Sequence, residues 1–400
     1  MKIAIIVKKL NIKGGTQRQA LSLAKELKKL GHEIKLYTFF YSNENCYADL
    51  LEGFEVIVLP PRKETNAAKR FFSIQMIETI REENRIAREL ALRIDTDIDL
   101  LNPHDQVSYK VAYFYKKLVK KVPSVWNMND LPLYRWGYDK MRGVDETFKK
   151  SLVRRFMYRI YDWYEKQKFY RAQDEVVVVD DFNRKLLKKY ANKRAITVRN
   201  GPDLEHFKFH ERKAPGRQIK LLTSGILLPH RRFEDAIRAV KILMERGYDP
   251  HLSIIGDKEN DKKYYAKLEA LTKEFNLENR VTFLGRVSEA DLIRAYETQD
   301  VYIFQHHLQS DGLSEFEAVA TGMPIIVSKT AGCHEVLTDG ENALFINPKD
   351  SEDIARQVEY LIQNPEEYKK LSTAGNAFVR SNFSWPRYAK EVEKVFNEVL

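Results

Sequence analysis

The strongest indication of a fold class comes from residues 301–348, VYIFQHHLQSDGLSEFEAVATGMPIIVSKTAGCHEVLTDGENALFINP. This stretch opens with a short apolar run, residues 301–304, which predicts a buried strand. A polar loop with a glycine follows, and a helix is predicted over residues 315–320. The helix ends at a Gly-x-Pro turn at Gly322, and a second strand is predicted over residues 325–327. This order of strand, loop, helix start and strand is where α/β folds hold phosphorylated ligands.

Two α/β patterns follow one another along the chain. The first has an apolar strand at residues 2–7, a Gly14-Gly15 loop and a periodic helix at residues 17–30. The glycines either let a ligand approach the backbone closely or serve a tight turn only. A G-x-G-x-x-G fingerprint is absent here, which argues against a dinucleotide-dependent oxidoreductase. The second pattern begins with a strand at residues 220–223, followed by a loop at Gly225.

The chain of 400 residues is longer than one hydrophobic core usually serves, so we expect two domains. Residues 1–207 are predicted to form an N-terminal Rossmann-like domain and residues 208–383 a C-terminal one. Residues 208–220, which are rich in charge and contain Pro215-Gly216, are the predicted linker.

Several features predict a cytoplasmic protein. No run of about 18 apolar residues occurs, so no transmembrane helix is expected. The N-terminus, MKIAIIVKKL, is expected to be a first strand rather than a signal peptide. The two cysteines, Cys46 and Cys333, offer neither a disulfide framework nor zinc spacing, and they fit a reducing cytosol.

The net charge of +10 indicates an anionic partner, which could be a phosphorylated substrate, a membrane surface or a nucleic acid. Basic residues are spread over both predicted domains without a nucleic-acid module, so no nucleic acid is expected. Residues 134–171 hold eleven Lys or Arg and five acids, with aromatic residues at helical spacing. They predict either a helix that lies on an anionic membrane or an ordinary amphipathic helix with a solvated charged face.

Polar residues flank a strand predicted to begin at residue 98. Asp95, Asp97 and Asp99 alternate at its start, and are either metal ligands or, as we favour, solvated turn residues. His104 follows at its C-terminal end, the edge where open α/β sheets keep their chemistry. A histidine there can exchange a proton near neutral pH. The alternative is a histidine in a surface loop.

The stretch of residues 301–348 resembles the retaining glycosyltransferases of the GT-B fold that are grouped as glycosyltransferase family 4. Their pattern is a Glu, a Gly-Phe-Gly-Leu-type loop, and a second Glu eight positions later that starts Glu-Ala-Met-Ala-x-Gly-x-Pro. Here the second Glu is Glu317, in EAVATGMP, and the first is replaced by Gln309. The family's Gly-Gly-x-x-Glu element is similar to AGCHE, which contains Gly332.

A second element of the resemblance is the loop from Gly225 to Arg232. The family has Gly-Arg-Leu there, with a Lys five residues after the Arg, and both cations neutralise the donor pyrophosphate. In this chain Ile226 replaces the Arg, Arg231 takes the Lys position and Arg232 follows. A guanidinium group can hold two phosphate oxygens at once, so these two arginines suit the task.

The resemblance implies an α/β fold of two Rossmann-like domains facing a cleft, with residues 384–400 forming a helix that crosses back to the first domain. It implies no cofactor and no metal, with a nucleotide-diphosphate sugar as co-substrate. His104, Arg231 and Gln309 are the predicted catalytic residues. The predicted donor-binding residues are Gly14, Gly15, Gly225, Arg231, Arg232, Gln309, Asp311, Gly312, Leu313, Glu317 and Gly332.

The predicted activity is transfer of a sugar, with retention at the anomeric carbon, to a glycan or lipid-linked acceptor. Glu317 would bind the ribose and Gln309 the sugar hydroxyls, while His104 and the Gly14-Gly15 loop would face the acceptor. The arginines and the amides around Gly332 would stabilise the leaving pyrophosphate. The alternative is a catalytically weak subunit that serves as a binding partner in a glycan-assembly complex, which the replacements at Gln309 and Ile226 favour. No pair of carboxylates has glycosidase spacing, so hydrolysis is not expected.

Overall fold

The computed structural model describes residues 1–60, 72–129 and 152–400, which form two compact units. In the described residues the first unit comprises residues 1–60, 72–129, 152–200 and Trp385–Leu400, and the second comprises Gly201–Ser384. The second unit thus begins a few residues before the expected boundary at residue 208.

The described strands and helices alternate along most of the chain. The strands are β1 (Lys2–Leu10), β2 (Glu33–Tyr41), β3 (Glu55–Val58), β4 (Leu100–His104), β5 (Val125–Met128), β6 (Glu175–Val178), β7 (Ile196–Thr197), β8 (Gln218–Ser224), β9 (Asp249–Ile255), β10 (Val281–Gly285), β11 (Val301–Phe304), β12 (Ile325–Ser328) and β13 (Leu344–Ile346). The α-helices are α1 (Gly15–Lys29), α2 (Ala48–Leu51), α3 (Phe72–Ala91), α4 (Ser108–Leu118), α5 (Leu152–Glu165), α6 (Asp181–Ala191), α7 (Phe233–Glu245), α8 (Lys262–Glu274), α9 (Glu289–Thr298), α10 (Ser314–Ala320), α11 (Ser351–Gln363), α12 (Pro365–Asn382) and α13 (Trp385–Val399).

Each unit is built on a parallel sheet. The strand order is β3-β2-β1-β4-β5-β6-β7 in the first unit and β10-β9-β8-β11-β12-β13 in the second. In each sheet the order reverses beside the first strand, between β1 and β4 and between β8 and β11. Such reversals create the crevices at which open α/β sheets bind ligands. The predicted α/β class with two Rossmann-like units is therefore confirmed.

The central strands are buried because helices cover both faces of each sheet. In β11, Val301 and Ile303 pack into a core with Phe233 of α7, whereas Tyr302 and Phe304 pack on the other face with Phe316 of α10. Alternate residues of a strand point to opposite faces, so a strand buried on both is apolar throughout. This explains why the continuous apolar run VYIF forms a central strand.

The predicted linker at residues 208–220 is wrong. Arg212 donates hydrogen bonds to the carbonyl oxygen of Gln299 at 2.6 Å and to Thr321 Oγ1 at 3.1 Å. The last residues of this segment, from Gln218, already belong to strand β8. The segment is thus attached to the second unit, because Arg212 satisfies carbonyl groups there.

The C-terminal helix α13 is part of the first unit. The Tyr388 hydroxyl accepts hydrogen bonds from Gln19 Nε2 at 3.0 Å and from Asn127 Nδ2 at 2.7 Å. Glu393 lies 2.7 Å from His32. The last residues of the chain therefore complete the fold of the unit that contains the first residues.

In the described residues, no helix has the length and apolar character needed to cross a membrane. Of the basic aromatic stretch predicted at residues 134–171, the part up to residue 151 lies outside the described residues. The remainder forms α5 and a π-helical turn, Lys166–Tyr170.

Candidate functional site

The candidate site of the second unit lies at the carboxyl ends of β8 and β11. These strands are parallel neighbours, with Val301 opposite Leu221 and Tyr302 opposite Leu222. Because they run in the same direction, the loop of residues 225–232 and the loop of residues 305–313 leave the sheet at the same edge. The fold therefore brings together two loops that the sequence analysis had identified separately.

Glycine is required where the first of these loops begins. Gly225 has φ of +150°, a conformation that residues with a side chain rarely adopt. Its carbonyl oxygen also lies where a Cβ on Gly256, just after β9, would be placed. The two glycines let the ends of β8 and β9 lie against each other.

Hydrogen bonds tie the two loops to one another. The His307 amide donates to the carbonyl oxygen of His230 at 2.9 Å. Gln305 Nε2 donates to the carbonyl oxygen of Arg231 at 3.1 Å, while Gln305 Oε1 accepts from Thr223 Oγ1 at 3.1 Å. Gln305, buried at the end of β11, thus fixes the backbone at Arg231.

Gln309 is buried and held from two sides. Its Oε1 accepts a hydrogen bond from His230 Nε2 at 3.2 Å, and its carbonyl oxygen accepts from the Gly332 amide at 2.8 Å. The Gly332 amide is thus bonded within the protein, and the role of the amides around Gly332 toward a pyrophosphate stays a prediction. The carboxamide of Gln309 keeps one acceptor oxygen at the position of the family's Glu and adds an NH₂ donor.

The two arginines of the loop differ in their partners. Arg231 Nη1 donates to His306 Nδ1 at 3.0 Å. Arg232 instead folds over the start of α7, where it pairs with Glu234 at 2.8 Å and with both carboxylate oxygens of Asp235 at 2.6 and 2.9 Å. Acids in the first turn of its own helix thus neutralise Arg232, and its role toward the donor phosphates stays a prediction.

Glu317 is buried in α10, the helix that follows the second loop. Its Oε2 accepts a hydrogen bond from the Tyr296 hydroxyl at 3.2 Å. Burial raises the pKa of Tyr296 well above its ordinary value, so this tyrosine stays protonated and donates. The Glu317 amide donates to the carbonyl oxygen of Leu313 at 2.8 Å, which anchors the loop to the helix.

Glu315 is a second buried acid at this place, and the sequence analysis gave it no role. Its Oε1 accepts the Gly312 amide at 2.6 Å, and its side chain is fully buried. Burial raises the pKa of the Glu315 carboxyl to about 7. A Cβ on Gly312 would lie 2.8 Å from Glu315 Oε2, so glycine makes room for the carboxylate.

The carboxylates of Asp311 and Glu315 and the thiol of Cys333 have ligand atoms within 4.8 Å of one another. Oxygen and sulfur donors of this kind can ligate a divalent ion. This cluster is where the described residues could hold a metal ion beside the site, and the sequence analysis did not find it. Cys333 comes from the loop after β12, which only the fold brings near Asp311.

The aspartates at residues 95–99 form ion pairs and a hydrogen bond with lysines of neighbouring strands. Asp95 pairs with Lys35 at 2.6 Å, Asp97 pairs with Lys2, and Asp99 Oδ2 accepts the Lys2 amide at 2.7 Å. These contacts connect the segment before β4 to the starts of β1 and β2, at the sheet edge opposite the carboxyl ends of the strands.

In the first unit, Gly14 and Gly15 start α1. Gly14 is the N-cap residue, and a Cβ on Gly15 would meet no heavy atom within 4 Å. Thr16 Oγ1 accepts a hydrogen bond from Asn129, just after β5, at 3.1 Å. The glycine loop therefore lies at the carboxyl edge of the first sheet, with open space beside Gly15.

His104 is the last residue of β4 and is fully buried, so the surface-loop alternative is wrong. Asn102 Nδ2 donates to the carbonyl oxygen of Val125 at 2.7 Å and to Asn127 Oδ1 at 2.9 Å. Asn102 Oδ1 is left to accept from His104 Nε2 at 2.8 Å. Burial lowers the pKa of His104 to about 3, so the ring is neutral and its Nδ1 is an acceptor. This disagrees with proton exchange near neutral pH.

The turn after β4 is strained. Asp105 and Val107 have φ of 63° and 77°, in the left-handed region that β-branched residues avoid. Burial raises the pKa of the Asp105 carboxyl to about 7, and its Oδ1 accepts from Ser108 Oγ at 3.0 Å. Strain and shifted pKa values cluster at functional sites, so Asp105 is a candidate that the sequence analysis did not identify.

The structure thus distributes the predicted site residues over both units. Those on the two loops, α10 and the loop after β12 of the second unit are Gly225, Arg231, Arg232, Gln309, Asp311, Gly312, Leu313, Glu317 and Gly332. Those at the carboxyl edge of the first sheet are Gly14, Gly15 and His104.

Known proteins match nearly the whole chain. Mannosylfructose-phosphate synthase of Agrobacterium fabrum is 23% identical over 394 residues, covering 95% of this chain and 85% of the relative. D-inositol 3-phosphate glycosyltransferase of Corynebacterium aurimucosum is 23% identical, covering 97% of this chain and 91% of the relative. A solved sucrose-phosphate synthase from Thermosynechococcus elongatus shares the fold with a TM-score of 0.78 at 16% identity, over 100% of this chain and 99% of that one. HepE of Anabaena, solved with UDP-glucose, has a TM-score of 0.73 at 16% identity over the full length of both chains.

Two family models match consecutive parts of the sequence. The model Glycosyltransferase Family 4 matches residues 13–206, and the model Glycosyl transferases group 1 matches residues 205–378. The two matches meet near the boundary between the two units. The chain therefore belongs to the group 1, family 4 glycosyltransferases with the GT-B fold.

Proposed function

We propose that this chain transfers a hexose from a nucleotide-diphosphate sugar to a glycan or lipid-linked acceptor, with retention at the anomeric carbon. In the reaction, the bond between the anomeric carbon and the diphosphate oxygen breaks and a bond to an acceptor hydroxyl oxygen forms. The nucleotide diphosphate leaves with the bonding electrons, and the acceptor hydroxyl loses its proton.

One observation carries this proposal: the loops after β8 and β11 are tied together with Arg231 and Gln309 among their residues. Arg231 supplies the positive charge that a leaving diphosphate needs. Gln309 supplies hydrogen-bonding atoms of the kind that sugar hydroxyls require. The solved HepE complex with UDP-glucose supports the choice of a nucleotide sugar as donor.

The remaining roles follow from the same arrangement. Glu317, a buried carboxylate held by Tyr296, would accept hydrogen bonds from the ribose hydroxyls. In the first unit, His104 would accept a hydrogen bond from a hydroxyl through Nδ1, and the open space at Gly15 would let a ligand approach the backbone.

A screen of nucleotide sugars tests the proposal. Purified protein is incubated with UDP-, GDP- and ADP-linked hexoses, and release of nucleotide diphosphate is measured with and without acceptors. Phosphorylated sugars and inositol phosphate belong among the acceptors, because two full-length relatives carry phosphate in their names. Release with one donor supports the enzyme, whereas binding of nucleotide diphosphate without release from any donor would favour the weak-subunit alternative. The anomeric configuration of the product, read by NMR, tests retention.

We also propose that turnover needs no metal ion, since Arg231 meets the charge of the diphosphate. With the best donor from the screen, activity should survive EDTA. The cluster of Asp311, Glu315 and Cys333 makes this a sharp test, because their ligand atoms lie within 4.8 Å of one another beside the site. Turnover that is lost in EDTA and restored by Mn²⁺ or Mg²⁺ would refute the proposal. If Asp311→Asn abolishes this restoration by metal, the metal is assigned to the cluster.

A lipid-linked acceptor would be met at a membrane surface, and α5 offers a means of docking there. Five large apolar side chains on this helix, Leu152, Val153, Phe156, Ile160 and Trp163, are each more than half exposed. They recur at helical spacing, so they form one stripe, while Tyr161 and Glu165 face the protein. Together with the excess of six positive charges in residues 134–171 (eleven minus five), this stripe suits an anionic bilayer.

A further inference from the structure

His306 lies in the loop after β11 and is enclosed by protein. Its side chain is fully buried, and its ring packs against Phe304 with centroids 4.1 Å apart and against Phe233 with centroids 5.8 Å apart. The ring is therefore held in one orientation, and the roles of its two nitrogen atoms follow from their surroundings.

The contact with Arg231 fixes the tautomer of His306. Arg231 Nη1 lies 3.0 Å from His306 Nδ1. A guanidinium group has only donors, so Nδ1 must be the unprotonated nitrogen that accepts. Burial, with the nearby charges of Arg231 and His230, lowers the pKa of His306 well below its usual value, which keeps the ring neutral. The proton of the ring is therefore on Nε2.

The Nε2–H group of His306 is buried and has no hydrogen-bond partner among the described residues. Leaving a buried donor unsatisfied costs free energy, so such a group indicates a role beyond packing. Nε2 lies beside Gly225: a Cβ on that glycine would be 3.7 Å from Nε2 and 3.3 Å from Cε1. Because Gly225 has no side chain, its backbone lies close to this donor, and a larger residue would press on the ring.

We infer that His306 is a second diphosphate-binding residue, which orients Arg231 through Nδ1 and donates its Nε2–H to a phosphate oxygen of the nucleotide beside Gly225. This assignment rests on the proposed function. It also accounts for the missing arginine of the loop: the side chain at that position, Ile226, is about half exposed and cannot bind phosphate. His306, in the loop after the neighbouring strand β11, supplies the hydrogen-bond donor instead.

Two substitutions separate the two nitrogen atoms. The His306→Asn side chain is short: its carbonyl oxygen takes the place of Nδ1 and still accepts from Arg231, but nothing replaces the Nε2–H donor. The His306→Gln side chain is longer, so its NH₂ group reaches the Nε2 position while the contact with Arg231 is lost. His251→Asn is the matched control, because His251 also binds an arginine, with its Nε2 2.9 Å from Arg280 Nη1, but near the start of β9.

Binding of inorganic pyrophosphate, of UDP, GDP and ADP, and of the nucleosides without phosphate is measured by calorimetry. We expect His306→Asn to weaken binding of pyrophosphate and of the preferred nucleotide diphosphate about tenfold to a hundredfold, the range for a lost hydrogen bond to a charged group. Nucleoside binding should be unchanged, His306→Gln should retain part of the affinity, and His251→Asn should match the wild type. Equal melting temperatures confirm that the variants are folded.

Wild-type affinity for pyrophosphate in His306→Asn, alongside a loss in Arg231→Ala, would overturn the role of His306 and leave the proposed function standing. If the wild type binds no nucleotide diphosphate, the proposed function fails and this inference with it. NMR of protein with ¹⁵N-labelled histidine gives a direct readout, with the His306 signals identified by their loss in His306→Asn. A neutral ring protonated on Nε2, whose Nε2–H signal moves when pyrophosphate is added, is expected. A proton on Nδ1 would contradict the inference.

Discussion

Arg231 and Arg232 are adjacent in sequence, yet their guanidinium groups bind different partners. We expect Arg231→Ala to lower kcat/KM more than about a hundredfold, because it removes the cation that we propose stabilises the leaving diphosphate. Arg232→Ala should instead lower stability by about 1.5 to 3 kcal/mol, since Glu234 and Asp235 lose a charged hydrogen-bond donor. Steady-state kinetics and thermal melts of both variants check this. Near wild-type turnover in Arg231→Ala would contradict it.

At Gln309, we expect a carboxylate to change turnover. Gln309→Glu would place a negative charge near the developing oxocarbenium ion and against His230, whose Nε2 lies 3.2 Å from Oε1. Its kcat or its preference among donors should therefore change. Glu317→Ala should chiefly weaken nucleotide binding, by about 1.5 to 3 kcal/mol, because a charged acceptor is lost. Steady-state kinetics and nucleotide titration of both variants test these two expectations. Unchanged kinetic constants and affinities in both would show that neither residue belongs to the site.

The sequence places single residues on loops and helices, but it shows few of their hydrogen-bond partners. The alignment of Arg231 with a family lysine and of Gln309 with a family glutamate depends on local motifs, which sequence displays. The pairing of Arg232 with Asp235, three residues on at a helix start, is local as well and could have been recognised. The bond from Gly332 to Gln309 could not, because it joins the loops after two different strands.

Among the elements, strands with continuous apolar runs were predicted, and some helices were missed. Helices α8 and α9 were omitted although Asp261 and Ser288 mark their starts as N-caps, each accepting backbone amides with its side chain. Helix α4 was harder to predict, because it follows the left-handed residues Asp105 and Val107. Such backbone strain depends on the surrounding fold and has no sequence pattern.

The exposed apolar stripe on α5 is expected to bind acidic membranes. The double variant Ile160→Ser, Trp163→Ser should reduce co-sedimentation with liposomes that contain acidic lipids, because two of the five exposed apolar side chains of the stripe are removed. Leu92→Ser, which changes an exposed apolar residue just after α3, is the control and should bind as the wild type does. Wild-type protein that stays in solution with acidic liposomes even at low salt would exclude the membrane role.

The whole molecule repeats one plan. In both units the first strand, β1 or β8, lies where the strand order reverses, and a glycine loop follows it, at Gly14 or at Gly225. The two-domain architecture could be predicted because this plan appears twice in the sequence. The acids with raised pKa values at these edges could not, since Asp105 and Glu315 lose contact with water only in the fold.

The buried carboxyl of Glu315 gives the molecule a stability that depends on pH. Its pKa is raised from 4.5 to about 7 in the folded protein, so the folded state binds this proton more tightly than the unfolded chain. The resulting stabilisation is fully present below about pH 4.5 and is lost as pH rises through about 7.

Glu315→Gln removes this stabilisation while keeping an acceptor for the Gly312 amide. The stability of the variant relative to wild type should therefore increase by about 3 kcal/mol between pH 4.5 and 8. Denaturant unfolding of both proteins across this range measures the difference, in which Asp105 cancels because both proteins retain it. Glu278→Gln, at an exposed position, should leave the wild-type pH dependence unchanged. A Glu315→Gln curve parallel to that of the wild type would show that burial of this carboxyl does not govern the pH dependence of the fold.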